Sequence, residues 1–305
     1  MDYAQQWKDR GYLIVPQVID PKQIARLYEI CEATYEQWKH NSAEDNQPGG
    51  WCYRPNGWVM IHLNHPKYYR GRQGDLLELL NAVAAPLVQQ ILRQIFREES
   101  VMLQTNYYID PPGESWNGNW HRDCQFAAPA DDDVKRAIEL EADPSRTLHM
   151  HIPFVPTQAT EVVPGSHYRW DTPEEYHVRK NDPHTEHMPN KVAIQLQPGD
   201  LAFFHTNTVH RGIYHQGVKR RTIAVTFGRV SYPDRATAAG MKQLRGYVAT
   251  YQPWFLLPGY LDGCTPAARA YYEKFIDTYR DTWKSEYLAE LTPGLQDYFT
   301  KLAVV

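Results

Sequence analysis

The 305-residue chain holds only four cysteines, at positions 31, 52, 124 and 264. They stand far apart with no CxxC pair, which excludes a disulfide framework and a thiolate zinc site and leaves reduced thiols as the expectation. Long apolar runs are missing too. Nowhere do about 18 apolar residues follow one another, and the opening MDYAQQWKDRGYLIV lacks the basic-then-apolar order of an export signal. The expectation is a soluble cytoplasmic protein with no membrane partner. Charge of one sign is also lacking: 32 Lys and Arg face 36 Asp and Glu, a formal net charge of -4. Such a balance supplies no field for nucleic acid or an anionic membrane, so the expected partner is a small-molecule substrate. No internal repeat, low-complexity tract or unpaired apolar stripe stands out, and the sequence is silent on oligomeric state. What is abundant is core material, 42% hydrophobic and 13% aromatic, enough for one large, well-filled domain.

The texture divides the chain in three. In the first hundred residues a short strand-like YLIV at 12–15 is followed by a helical rhythm at Ile24, Leu27, Ile30, Cys31, Tyr35 and Trp38. Asp20-Pro21 serves as its N-cap and first-turn proline. A second helical run covers 76–96. From 101 to 231 the chain turns to short alternating segments, VMLQTNYYI, TLHMHIPFV, KVAIQL, LAFFH, GIYH and RTIAVTFGRV, punctuated by Pro, Gly, Asp and Asn. That pattern predicts a β core, a jelly roll in particular. From 232 to 305 helices return, clearest over 266–286 and 287–302. The acidic insert 128–145, with six acids and two bases, reads as a solvated excursion or lid. We expect a single α+β domain spanning 1–305, with helices around a β core.

The chemistry-bearing segment is NWHRDCQF. On an extended backbone His121 and Asp123 point to one face, so an imidazole and a carboxylate there can grip one metal ion. A lone HxD is common by chance. It gains weight from FFHTNTVHRG, which follows the turn residues Pro198-Gly199-Asp200 and offers His210 as a third ligand. Two histidines and one carboxylate on one face of an octahedron leave three positions open, the arrangement of oxygen-activating Fe(II). The fourth element is KRRTIAVTFG, where Arg221 shares its strand parity with Ile223, Val225 and Phe227. A guanidinium on an apolar interior face needs an anion, and its fork suits a carboxylate. No acid of the protein is an obvious partner, so a ligand carboxylate is one reading. The other is that Arg221 lies at the strand's start and reaches solvent or a surface acid.

These residues resemble the phytanoyl-CoA dioxygenase family. The resemblance runs from GYLIVPQVIDPKQIARL to about Gly228, on WHRD at 120–123, VVPGSH at 162–167, LQPGDLAFFH at 196–205, VH at 209–210, and Arg221 eleven residues after the distal histidine. It implies a double-stranded β-helix (a cupin-like jelly roll) and an Fe(II)- and 2-oxoglutarate-dependent dioxygenase that uses O2 and releases succinate and CO2. His121, Asp123 and His210 would be the metal ligands, and Arg221 would hold the C5 carboxylate of 2-oxoglutarate. The chain departs from relatives in two places: Thr157-Gln158-Ala159-Thr160 lacks the Gly of their turn before PGSH, and Gly212 stands where some carry a hydroxyl. Relatives that halogenate lack the carboxylate, so Asp123 points to hydroxylation or another oxidation.

Family analogy also makes Gln104, Asn106 and Thr147 candidates for cosubstrate contact. Alternation in VMLQTNYYI puts Met102, Gln104 and Asn106 on one face. In TLHMHIPFV it turns Leu148, Met150, Ile152 and Phe154 to the core or helices, and Thr147, His149 and His151 to the barrel interior. His149 and His151 also form an HxH pair, but no following Glu completes a cupin-type set. His167 and His205 read as structural, and His215 likewise. Trp51, Tyr53, Trp58, Trp116 and Trp120 are either core packing or pocket lining, with Trp116 and the 43–62 segment inclined to the pocket. Two alternatives remain open: desaturation, epimerisation or cyclisation with the same cofactors, and a non-catalytic metal-binding jelly roll.

Overall fold

The computed structural model describes residues 3–40, 59–110, 114–127, 129–141, 144–231 and 252–284. Among these residues, ten strands form two antiparallel sheets. In order across the larger sheet are β1 (Tyr12–Val15), β8 (Leu201–His205), β5 (Thr147–Pro153), β10 (Thr222–Arg229), β3 (Ser100–Tyr108) and β2 (Val59–Ile61). The smaller sheet runs β4 (Trp116–Asn117), β9 (His210–Tyr214), β6 (Thr157–Val162) and β7 (Val192–Leu196). Together they make the double-stranded β-helix that the family resemblance implied.

Register sorts the larger sheet into two faces. Residues opposite one another across antiparallel strands share a face. One face therefore carries Ile223, Val225 and Phe227 with Met150, Ile152 and Phe203, in the large apolar cluster that the helices cover. Those helices are α1 (Tyr3–Arg10), α2 (Pro21–His40), α3 (Gln73–Val83), α4 (Pro86–Phe96) and, from the far end of the chain, one over Pro266–Lys284. The opposite face carries Thr222, Ala224 and Thr226 with Gln104, Asn106, His149 and His151, and looks toward the smaller sheet. Val162, Ile194 and Leu196 of that sheet meet Ala202 and Phe204 across the interior. A bulge between Thr226 and Phe227 breaks the alternation expected along β3. Met102 pairs with Phe227, and Met102 and Leu103 both join the helix-side cluster while Gln104 stays inside.

Residues 73–96 are apolar enough by composition to cross a membrane. Here Ala84 and Ala85 split them into two 11-residue helices, Pro86 opening the second, each about 16 Å long at 1.5 Å per residue. Their leucines, isoleucines and valines lie in the helix-side core.

The acidic insert is not a solvated excursion. Its described part folds as α6 (Asp131–Glu141) after the four-residue α5 (Cys124–Ala127). Three aspartates occupy the first turn of α6, where the helix dipole favours negative charge. Val134 and Ile138, four apart, bury against Cys124. At the C-terminal end, Glu141 accepts from Asn207 Nδ2 at 2.9 Å and from Arg146 Nη1 at 2.6 Å. The helix is a buttress behind the loop that carries Asp123. In the C-terminal part, the helix expected over 266–286 is observed as Pro266–Lys284. The one expected over 287–302, and most of 43–62, lie outside the described residues.

Candidate metal and cosubstrate site

His121, on the loop after β4, and His210, the first residue of β9, pair as an isolated antiparallel bridge. Each donates its backbone N–H to the other's carbonyl, at 3.0 and 2.9 Å. Two residues from His210, the approach is close enough to require glycine: a Cβ on Gly118 would stand 2.7 Å from the carbonyl oxygen of Gly212. Asp123 follows His121 by two residues, and its N–H donates to the Thr206 carbonyl at 3.0 Å. Potential ligand atoms of His121, Asp123 and His210 all lie within 4.8 Å of one another. Asp123 Oδ1 is 3.4 Å from His121 Nε2 and 3.7 Å from His210 Nε2.

The imidazoles are set for one tautomer. His121 Nδ1 lies 2.6 Å from the Asn119 carbonyl and His210 Nδ1 2.7 Å from that of Thr208. A carbonyl only accepts, so each Nδ1 carries the proton and each Nε2 offers a lone pair. Burial, with His121 alongside, pushes His210 down to about 3, so the ring is neutral at neutral pH. Burial alone would raise the Asp123 carboxyl, but contacts with His121 and His149 outweigh it and hold the group well below the usual carboxylate range. Two neutral nitrogens and one carboxylate oxygen suit a divalent first-row metal, Fe(II) included. Arg122, between the ligands, turns away and is fully buried against Asp171. The Phe126 ring rests 5.0 Å from that of His121.

Arg221 is not inside the barrel. Its parity with Ile223, Val225 and Phe227 places it on the helix side, where Nε donates to Glu32 Oε1 and Nη1 to Asp110 Oδ1, both at 2.8 Å. The reading in which it reaches a surface acid is therefore the correct one. The interior guanidinium belongs to Arg220. Its side chain is sandwiched between the rings of Tyr108 and Tyr214, 4.5 and 4.4 Å from their centroids. Its backbone N–H donates to Asp110 Oδ1. Arg220 is 5% exposed, its Nε has no partner, and no carboxylate pairs with it among the described residues. Further unpartnered buried atoms lie on the same interior face: Thr222 Oγ1, Asn106 Oδ1 and Gln104 Nε2. A cationic fork with nearby donors and acceptors fits an anionic, oxygen-rich ligand.

Gln104 and Asn106 thus face the interior, and the Thr147 hydroxyl lies 2.6 Å from that of Thr206, on the segment whose carbonyl receives the Asp123 N–H. His151 is buried on the interior face, 3.5 Å from Thr160 Oγ1. Trp120 is core, stacked under Arg211 at 4.6 Å. Trp116 is partly exposed, 5.6 Å from the Tyr214 ring. Two residues escaped sequence reasoning. Arg220 carries a signal in its parity with the small and polar Thr222, Ala224 and Thr226. His149, weighed only as a metal ligand, instead touches Asp123 Oδ2 at 2.9 Å.

No curated protein matches the chain by sequence. Among solved structures, AviO1 from Streptomyces viridochromogenes Tue57 superposes with a TM-score of 0.50 at 19% identity, over 74% of this chain and 93% of that one. EctD from S. alaskensis, solved with 2-oxoglutarate and 5-hydroxyectoine, gives 0.52 at 15% identity over 75% of each chain. At such identities the likeness is one of fold. The family model described as phytanoyl-CoA dioxygenase matches residues 7–223, a span that takes in all three metal-site residues and the interior arginine. The chain belongs to the phytanoyl-CoA dioxygenase family.

Proposed function

We propose that this protein is an Fe(II)- and 2-oxoglutarate-dependent dioxygenase that hydroxylates a small-molecule substrate. His121, Asp123 and His210 would hold the metal, and Arg220, in place of Arg221, would hold the distal carboxylate of 2-oxoglutarate. The observation that carries this reading is the pairing of two features in one barrel: a His-Asp-His group within 4.8 Å and a buried guanidinium with no acid of its own among the described residues. Fe(II) with 2-oxoglutarate, once bound, would let O2 act as the oxidant, one oxygen atom passing to the substrate and the other to succinate, with CO2 released. The protein's part is positional. Neutral Nε2 atoms and the Asp123 carboxylate orient the ion, Arg220 fixes one end of the cosubstrate, and Gln104, Asn106 and Thr222 offer polar contacts along its length. Phe204, 5.3 Å from the His210 ring, keeps the interior side of the ligands apolar. Retention of Asp123 favours hydroxylation over halogenation.

Anaerobic titration of the Fe(II)-loaded protein with 2-oxoglutarate tests the reading, through the weak visible band that the keto acid gives on chelating iron. A saturable band supports it. Iron bound with no band at any 2-oxoglutarate concentration refutes it.

A further inference from the structure

We infer that His149 is a positioning residue that keeps the Asp123 carboxylate bound to the metal through one oxygen only, an inference that rests on the metal reading above. Asp123 Oδ1 is the oxygen nearest the two histidine ligands, at 3.4 and 3.7 Å. The other oxygen, Oδ2, is 2.9 Å from His149 Nε2. The two oxygens thus have different tasks.

Chemistry fixes the direction of that bond. An ionised carboxylate only accepts, so His149 Nε2 must carry the proton, and in a neutral ring Nδ1 is then an acceptor. Nδ1 lies 3.0 Å from Thr226 Oγ1, a hydroxyl able to donate. Thr226 is the direct cross-strand partner of His149 on β10, and Phe204 is its partner on β8, with ring centroids 5.0 Å apart. Sheet register therefore sets the ring from both sides. His149 stands apart from the metal-binding group itself, since its one free proton is spent on Asp123.

The consequence concerns coordination number. A six-coordinate ion held by two nitrogens and one oxygen keeps three positions open: two for a chelating keto acid and one for O2. A carboxylate that swung to bind through both oxygens would take one of the three, and it would have to break the bond from His149 to do so. His149 thus guards an open position without touching the ion.

The test uses Co(II) as probe on the metal-free full-length protein and compares wild type with His149→Ala, His149→Gln and Thr226→Val. Supporting partners of metal ligands typically contribute about ten- to hundredfold in affinity. We expect His149→Ala to weaken Co(II) binding by that order. At saturating Co(II), it should weaken anaerobic 2-oxoglutarate binding by on the order of tenfold, a loss that a merely space-filling residue would not cause. His149→Gln, whose amide N–H can still donate to Oδ2, should stay close to wild type. Should His149→Ala fail to fold, Thr226→Val decides: it must weaken 2-oxoglutarate binding several-fold while His149→Gln does not. Wild-type affinity in His149→Ala, or equal losses in His149→Ala and His149→Gln, overturns the inference while the oxygenase reading stands. A wild-type protein that binds no Co(II) sinks both.

Discussion

Arg220 and Arg221 are the two residues that lead into β10, and their guanidinium groups lie on opposite sides of the sheet, one between two tyrosine rings in the barrel and the other between Glu32 and Asp110 under the helices. Asp110 Oδ1 links them, accepting the backbone N–H of Arg220 and the side chain of Arg221. The outer arginine therefore anchors the segment that carries the inner one into β10.

Arg220→Ala should raise the 2-oxoglutarate concentration needed for half-maximal chelation on the order of a hundredfold, the scale of a desolvated charge-assisted pair. Arg221→Ala should leave that affinity within a few-fold and lower stability by about 1–2 kcal/mol, because Glu32 and Asp110 are partly exposed and lose only a screened partner. Equilibrium titration with thermal unfolding separates the two; a reversed pattern would return the cosubstrate to Arg221.

His121→Ala, Asp123→Ala and His210→Ala should each lose iron during gel filtration and consume no 2-oxoglutarate, while retaining the wild-type circular dichroism spectrum. Cosubstrate turnover left unchanged by His121→Ala or Asp123→Ala would disprove the ligand assignment.

Acid should destabilise the metal-free protein through buried histidines outside the ligand set: His65, His151, His167 and His205. Burial pushes His205 down to about 4 and His167 to about 3, against about 6.5 for an unfolded histidine. As pH falls below about 6.5 the unfolded chain takes up protons that the folded chain refuses, so stability falls, down to about pH 4 for His205 and about pH 3 for His167. At about 1.4 kcal/mol per unit, His205 alone removes roughly 3 kcal/mol by pH 4. The urea midpoint should decline steadily from near pH 6.5 downward, and a flat profile across that window would contradict the assignment.

Asp171→Ala should cost about 3–5 kcal/mol, the scale of breaking a buried ion pair. Its carboxylate meets Arg122 Nη2 at 2.6 Å and Arg179 Nε at 2.7 Å, so its loss strands two buried cations. Because Arg122 lies between His121 and Asp123, iron should also be retained more weakly. Thermal unfolding and iron content measured on the same sample would check both, and unchanged stability would refute the network's role.

The grouping of His121, Asp123 and His210 was legible in the sequence because an HxD and a distal histidine after a Pro-Gly-Asp turn are short-range signals. Arg221 was expected inside the barrel and lies outside it for a reason specific to layered folds. Ile223, Val225 and Phe227 form the more apolar face, which looks like a barrel interior. In this fold the thick apolar layer lies between sheet and helices, and the side that looks into the barrel is the one with Thr222, Ala224 and Thr226. A composition count misread the insert at 128–145, whose signal was the spacing of Val134 and Ile138. The bulge beside Leu103 and the partnership of His149 with Asp123 depend on how separate strands align, which no single segment encodes.

The bridge between His121 and His210 exchanges two backbone hydrogen bonds, so their spacing is a property of the sheet and exists before any ion arrives. A cradle that is already built cannot use its own assembly to choose among ions. Two imidazole nitrogens and a carboxylate oxygen follow the general order in which copper, nickel and zinc outrank ferrous iron. Occupancy then follows supply, and protein made in a foreign host carries whichever competing cation that host leaves available until it is stripped and reloaded.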